Sequence, residues 1–365
     1  MIIFRYLFRQ LFSTTIAVCS VLLLVFLSAR FVKYLSEVVS GKWEAGVLFA
    51  FIGYRLPGFL ELLLPLSFFI SILLAYGRLY LDSEMTVLNA CGMSQKRLLG
   101  YTLLSSVLII VAVSWLALLI TPAGQEKFNQ LEVAQQQRGE LSSFPAKQFY
   151  SFSKGGVAYA EEVKDSRLYD VFHTSSESNG SDSTDSQVIV VANAGHQERS
   201  EDRRNNYLVL EDGYRIEGQP GRADFRITHF GEFGTELART QLWRGQKRDG
   251  SEMPTAELWG SDKPDQIAAL HWRLSMPLLV IVVTMLAVPL SKTSPRQGRY
   301  LKLLPAVAIY LVYMLVLKSG QGKVVDGELS PYMGVWGVHA LFLVVSLLFF
   351  VWPTVRLKLL GGRSR

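Results

Sequence analysis

Apolar residues in this chain fall in long runs, separated by short polar loops and one long polar block. The runs lie near Leu11–Phe31, Leu56–Tyr76, Leu98–Ile120, Leu274–Leu290, Leu303–Leu317 and Tyr332–Trp352. A helix needs ~20 mostly apolar residues to cross ~30 Å of hydrocarbon, and each run is read as one span. The fifth is the shortest, with Pro305 near its start, where a missing N–H is tolerated. The first run carries Arg5 and Arg9 ahead of it, as a signal peptide would. Its apolar stretch is too long for one, and Leu27-Ser28-Ala29 is a poor cleavage site, so it is expected to be a retained span. The expected layout is spans one to three over 1–120, a soluble domain over 121–266, and spans four to six with the C-terminus over 267–365.

Inside the polar block the period changes. Gln125–Arg138 has few strand formers and is expected to continue the third span as a helix. After Pro145, short alternating runs follow: Gln148–Ser153, Val157–Glu162, Leu168–His173, Val188–Ala192, Tyr207–Glu211, Tyr214–Glu217 and Phe225–Phe230. Period-two alternation bounded by turn residues is the strand signal. Asp212-Gly213, between two of these runs, predicts a hairpin, because both central turn positions need φ > 0. The Ser/Asp/Gly-rich stretch between Thr174 and Gln187 predicts a flexible loop. The fold class expected is a six-helix membrane protein carrying an all-β, jelly-roll-like domain.

Charge adds an orientation. The formal net charge is +6, and half of the residues are hydrophobic. One set of span flanks holds Arg5, Arg9, Arg78, Lys96, Arg97, Lys292, Arg296, Arg299, Lys302, Arg356, Lys358, Arg363 and Arg365. The alternate short loops hold only Lys42, Arg55, Lys318 and Lys323. By the positive-inside rule both termini are expected in the cytoplasm and the β-domain outside. The chain has two cysteines, Cys19 within a span and Cys91 in a cytoplasmic loop, so the exported domain must be held by packing alone. A bacterial inner membrane with a periplasmic domain fits.

The search for chemistry excludes more than it finds. Gly320-Gln321-Gly322-Lys323-Val324 lacks the spacing and the hydroxyl of a phosphate-binding loop. The five histidines are scattered without zinc spacing, and no G-x-S-x-G elbow occurs. No catalytic residue, metal or cofactor is expected, so any work done must draw on another protein's energy.

Ionisable residues in spans are costly and point to function by default. Arg30 and Lys33 share a face near the outer end of the first span. Either both snorkel to the headgroups, or they face a cavity and attract an anionic substrate. Glu61, between Pro57 and Pro65, could offset a cation such as Arg55. In the cytoplasmic loop, Asp82 or Ser83 can cap a short helix near 82–91 that Gly92 ends, with Leu81, Met85 and Leu88 as its apolar stripe. Glu84 either complements that helix dipole or pairs with a cation of a cytoplasmic partner in whose groove the helix docks.

The opening Met1-Ile2-Ile3-Phe4-Arg5-Tyr6-Leu7 and the stretch Tyr76-Gly77-Arg78-Leu79 through Glu84 to Gly92-Met93-Ser94 resemble the LptF/LptG permeases of lipopolysaccharide export. The resemblance covers essentially the whole chain and is closer in detail to the F than to the G members. It implies a heterodimer with a G-type (LptG-like) permease, an LptB-like ATPase homodimer that binds the ATP, and an LptC-like membrane-anchored jelly-roll protein. It implies that lipopolysaccharide enters laterally from the outer leaflet and leaves through stacked jelly rolls. It places Glu84 in the helix that seats in the ATPase, Arg30 and Lys33 near the lipid phosphates, and Lys318 at a lateral gate formed by the fifth span and a neighbour's first. Two other classes stay open. A secondary transporter would need internal repeats and polar midplane residues, and a membrane-anchored scaffold would leave the binding to the β-domain.

Overall fold

The computed structural model describes residues 2–39, 43–138, 147, 149–151, 157–164, 167–177, 186–199, 206–218, 225–236, 250–293 and 303–361. The expected Arg296, Arg299, Lys302, Lys42, Arg363 and Arg365, and most of the expected Ser/Asp/Gly-rich loop, lie outside these residues. The chain divides into two compact units, one of Met1–Val32, Phe49–Asn129 and Arg248–Arg365, the other of Lys33–Leu48 and Gln130–Lys247.

The helical elements are α1 (Ile2–Val39), α2 (Leu48–Leu81), α3 (Glu84–Ala90) and α4 (Gln95–Trp115). A π-helical turn at Leu116–Ile120 leads from α4 into α5 (Thr121–Arg138). After the sheet come α6 (Thr255–Leu258), α7 (Pro264–Leu290), α8 (Leu303–Val325), a second π-helical turn at Tyr332–Trp336, and α9 (Gly337–Gly361). Among the described residues, six helices are long and apolar enough to cross a membrane, at the places the hydropathy runs predict. In lipid, backbone groups must be satisfied within the chain, and a helix does this segment by segment.

Two proline-bearing helices form the centre of the helical unit. α2 contains Pro57 and Pro65, and α7 contains Pro277 and Pro289. Half of the apolar window of α2 and 61% of that of α7 are buried, against 17% for α1. Ser67 donates to the Leu63 carbonyl, and Thr15 and Ser71 meet through their hydroxyls at 2.7 Å. Tyr76 and Thr102 likewise join α2 to α4 at 2.7 Å. Aromatic stacking of Tyr313 on Phe342, with centroids 4.2 Å apart, joins α8 to α9.

At the other end of α8 the backbones themselves touch. A Cβ on Gly320 would stand 1.9 Å from the Gly334 carbonyl oxygen, and one on Gly334 would stand 2.7 Å from that of Gly320. Small residues let membrane helices approach this closely, and dispersion then acts over the whole contact.

The second unit holds a six-stranded antiparallel sheet in the order β1 (Tyr150–Ser151), β2 (Val157–Lys164), β3 (Arg167–Glu177), β4 (Ser186–Arg199), β5 (Asn206–Gly218), β6 (Arg226–Glu236). The expected all-β domain is present, and sequence neighbours are sheet neighbours throughout. The predicted hairpin at Asp212-Gly213 is not: both residues lie inside β5, which pairs with β4 and β6 on either side of them in one register. Inward-facing residues explain why. They step by two along each strand and then once by three: Ala160 to Val163, Leu168 to Val171, Ala192 to Gly195, Leu210 to Gly213, Phe230 to Phe233. These steps lie opposite one another, since Ala160 pairs with Val171, Val171 with Ala192, Ala192 with Gly213, and Gly213 with Phe230. One extra residue per strand, at a common level, bends the sheet without shifting its register. Asp170 and Asp212 take it up at φ 51° and 50°. Gly213 thus supplies close approach, because a Cβ there would stand 2.2 Å from the Val191 carbonyl oxygen.

The segment boundaries also differ from expectation. Residues 248–266 belong with the helical unit and not with the β-domain, because Gly250 packs against Asp265 and Ala269 and α7 binds the chain around it.

Replacing Gly320 by Ala is expected to push α8 off the Tyr332–Trp336 turn and destabilise the chain by about 2 kcal/mol or more, the usual scale of overpacking. Thermal unfolding in detergent measures this, and a midpoint equal to that of the unaltered protein would refute the contact.

Candidate functional site

Between α2 and α4 the chain turns through α3. Ser83 precedes α3 as expected, but with φ 61° and no side-chain capping bond. α2 runs on to Leu81, with Asp82 N–H still bonded to the Arg78 carbonyl, so the turn into α3 is too tight for the extended conformation that capping requires. The other end follows expectation: Gly92 has φ 88°, Met93 N–H bonds the Leu88 carbonyl and Gly92 N–H that of Asn89. This double closure is the glycine-ended helix stop. Ser94 then caps α4, accepting from Arg97 N–H.

The apolar stripe of α3 faces inward. Met85 is fully buried in the chain's own helical core, Leu88 packs against that core, and Leu81 is half-buried. These three were expected to face a partner. A helix of seven residues has room for one apolar face, and the base of the bundle takes it. The side left outward carries Thr86, Val87 at 61% exposure, Asn89, Ala90 and Cys91. Glu84 stands at the start of α3, where its Oε2 accepts a 2.7 Å hydrogen bond from the Tyr6 hydroxyl of α1.

The basic residues expected to act together are held by separate helix pairs. Arg30 is half-buried, with its guanidinium carbon 5.4 Å from the Phe26 ring centre and 5.7 Å from that of Phe59 on α2. Lys33 is exposed on α1. Lys318 of α8 is exposed, lies 4.6 Å from the Trp272 ring centre of α7, and donates to Gln321 Oε1 at 2.7 Å. A cation on a ring face is attracted by the ring quadrupole and remains able to meet an anion.

Glu61 is buried, 4% exposed. The cation whose field reaches it is Arg273 of α7, with the Thr121 side chain alongside. Arg55 instead lies over the Phe128 ring at 4.0 Å. The expected Glu61–Arg55 pairing fails because six residues of helix turn the two side chains well apart in azimuth.

Arg273 was not singled out from the sequence, where it stands one residue before the fourth apolar run. Only 5% exposed, it donates to the carbonyls of Gly250, Ser251 and Met253 at 3.1, 3.0 and 2.8 Å and to Thr255 Oγ1 at 2.8 Å. An arginine fork can satisfy several acceptors at once. A second group missed from the sequence joins three helices. Trp336 donates to His271 at 2.8 Å, and the Tyr313 hydroxyl meets His339 Nδ1 at 2.5 Å. Scattered in sequence, these residues carry no local signal. Among the described residues, no group of three His, Cys, Asp or Glu could hold a metal ion.

These features define a multi-pass membrane protein with polar groups at the ends of its spans, a short helix between its second and third, and an inserted β-domain. The model of the family "Lipopolysaccharide export system permease LptF/LptG" matches residues 5–352. The chain is 30% identical over 362 residues to the lipopolysaccharide export system permease protein LptF of Escherichia coli K12, covering 98% of this chain and 97% of that one. It is equally similar to LptF of Shigella flexneri. The chain therefore belongs to the LptF/LptG family of lipopolysaccharide export permeases.

Replacing Arg273 by Met strands several buried acceptors, each worth about 1–3 kcal/mol. Amide exchange over residues 251–258 is expected to speed by at least about tenfold, the equivalent of ~1.4 kcal/mol. Unchanged exchange by mass spectrometry would show that Arg273 does not hold this segment.

Proposed function

We propose that this chain is one membrane half of an ATP-driven exporter that takes lipopolysaccharide from the outer leaflet of the inner membrane and passes it to a periplasmic bridge. The observation that carries this reading is the family match along nearly the whole chain, in a sequence that has no nucleotide-binding loop of its own. Both termini lie in the cytoplasm and the β-domain in the periplasm, from the distribution of Lys and Arg. A G-type permease completes the cavity, an ATPase homodimer binds the ATP, and a membrane-anchored jelly-roll protein extends the path.

In this reading α3 is the helix on which the ATPase seats. With Met85 and Leu88 turned inward, its contact face is Glu84 with Thr86, Val87, Asn89 and Ala90, and the carboxylate supplies the ionic anchor. Arg30, Lys33 and Lys318 attract the phosphates of the lipid at the outer end of the spans. Among the described residues, β6 runs for eleven residues and is paired on one side, and β1 at the other edge is described over Tyr150–Ser151. Strand addition needs a long open edge, so β6 is the edge that receives the next jelly roll.

Affinity purification in mild detergent tests the assembly. A co-purifying ATPase and a second six-span protein are expected, and a chain recovered alone would overturn the reading. Replacing Glu84 by Ala should reduce ATPase recovery at least tenfold with the chain still inserted, in line with ~2–5 kcal/mol for truncating an interfacial charge pair. Equal recovery would remove Glu84 from the interface.

Reversing Arg30 and Lys33 together to Glu should lower photocrosslinking to lipopolysaccharide about fivefold, or ~1 kcal/mol. Crosslinking at the original level would mean that these side chains only reach for headgroups.

A further inference from the structure

The third span does not run as an unbroken α-helix into α5. In an α-helix the Leu118 carbonyl would take its hydrogen bond from the N–H of residue 122. That residue is Pro122, which has no N–H and whose ring crowds the same carbonyl. The backbone accommodates this with the π-helical turn Leu116–Ile120, where Thr121 N–H bonds the Leu116 carbonyl five residues back. A π-helical turn takes up one residue more than an α-helical one. The extra residue turns Gly124 and Phe128 towards α2. There the Tyr54 carbonyl leaves no room for a Cβ on Gly124, and Phe128 packs on Phe51 at 4.8 Å and on the Arg55 guanidinium at 4.0 Å. Without it, Ala123 and Lys127, both exposed, would face α2, with Lys127 beside Arg55. The Leu118 carbonyl is served from outside its own helix, by the Thr255 hydroxyl at 2.5 Å. Arg273 gives a hydrogen bond to Thr255 Oγ1 at 2.8 Å. Because arginine can only donate, the hydroxyl proton is directed at Leu118.

Leu118 and Thr255 are 137 residues apart, on the segments by which the chain leaves and re-enters the helical unit around the β-domain. We propose that Thr255 locks a joint at Leu118–Pro122. With its hydroxyl in place the break in the third span is held in one geometry, and without it the break becomes a hinge. The same bond closes the stem of the inserted domain, since it fastens the outgoing segment to the returning one. Thr255 is a positioning residue here, and Arg273 aims it. In a medium of low polarity an unserved carbonyl is costly, and serine and threonine side chains are among the groups that repair proline breaks in membrane helices.

The test uses the full chain in lipid nanodiscs, carrying Cys19→Ala and Cys91→Ser, with spin labels at Leu104 of α4 and Lys127 of α5, both exposed. At ~1.5 Å per residue these sites lie about 34 Å apart along the helix, a span that pulsed electron resonance measures. Thr255→Val, which replaces the hydroxyl by a methyl group, should widen the distance distribution about twofold, because the unserved acceptor no longer favours one geometry. Thr255→Ser, which keeps the donor, should restore the unaltered width. Pro122→Ala added to Thr255→Val should narrow the distribution again, because residue 122 then supplies an N–H to Leu118. A Thr255→Val distribution as narrow as the unaltered one, a Thr255→Ser distribution as wide as that of Thr255→Val, or no narrowing by Pro122→Ala would each overturn the lock. In the complex with its co-purifying ATPase, Thr255→Val should also lower lipopolysaccharide crosslinking to the β-domain per ATP hydrolysed about fivefold, or ~1 kcal/mol. Unchanged crosslinking would remove the lock from export. That second readout rests on the exporter reading, which fails separately if no ATPase co-purifies with the unaltered chain.

Discussion

A polar group buried in the helical unit must find its partner within the chain, and most of the architecture follows from this. Arg273 shows the constraint at its strictest. A guanidinium 5% exposed is tolerable only if its donors are occupied, and it gathers the carbonyls of Gly250, Ser251 and Met253 and the Thr255 hydroxyl around itself. That cluster draws residues 250–255 into the helical unit and gives the buried Glu61 a compensating field. Buried hydroxyls obey the same rule more cheaply. Thr102 and Thr284 return to the carbonyls four residues back, while Thr15 and Tyr76 also bridge to a neighbouring helix. An unpaired polar group in a medium of low polarity costs far more than these bonds contribute when made.

Once polar groups are satisfied, helix association in lipid depends on contact area and close approach. α7 lies at the centre because it packs on α4, α8 and α9. The glycines of α8 and of the Tyr332–Trp336 turn bring two backbones into contact, where a single methyl group would not fit. α1 is the most exposed span, held at its start, by the Thr15–Ser71 hydroxyl pair, and further along by Phe26 and Arg30 against Phe59 of α2.

The β-domain reaches compactness by another route. Its described residues include no disulfide, and its core of Ala, Val and Leu is small. The sheet covers that core by bending at one level in β2 to β6, so that residues on both sides of the bend point inward. In β3 and β5 the bend is taken up by Asp170 and Asp212 at positive φ, a conformation that Asp accepts at modest cost. A mid-strand Asp-Gly thus serves a fold in which β2 to β6 kink together, although in isolation the same pair favours a hairpin.

Run length, period and charge placement were enough to define six spans, an all-β insertion and a loop helix ended by Gly92, because hydropathy and glycine geometry are local properties. The resemblance to the LptF/LptG permeases was legible in the same loop and at the start of the chain. The direction of an amphipathic face was not. Met85 and Leu88 have the right spacing whether they meet a partner or their own bundle, and only the packing of α3 on the core decides between the two. Long-range pairing was equally hidden. Tyr6 and Glu84 are 78 residues apart, and Arg273 meets Gly250 across 23, separations at which no periodicity carries information. Asp212-Gly213 marks the boundary between the two kinds of knowledge. The sequence by itself determined that the backbone there needs unusual dihedral angles, and the tertiary structure decided that those angles bend a strand, because the strands on both sides bend at the same level.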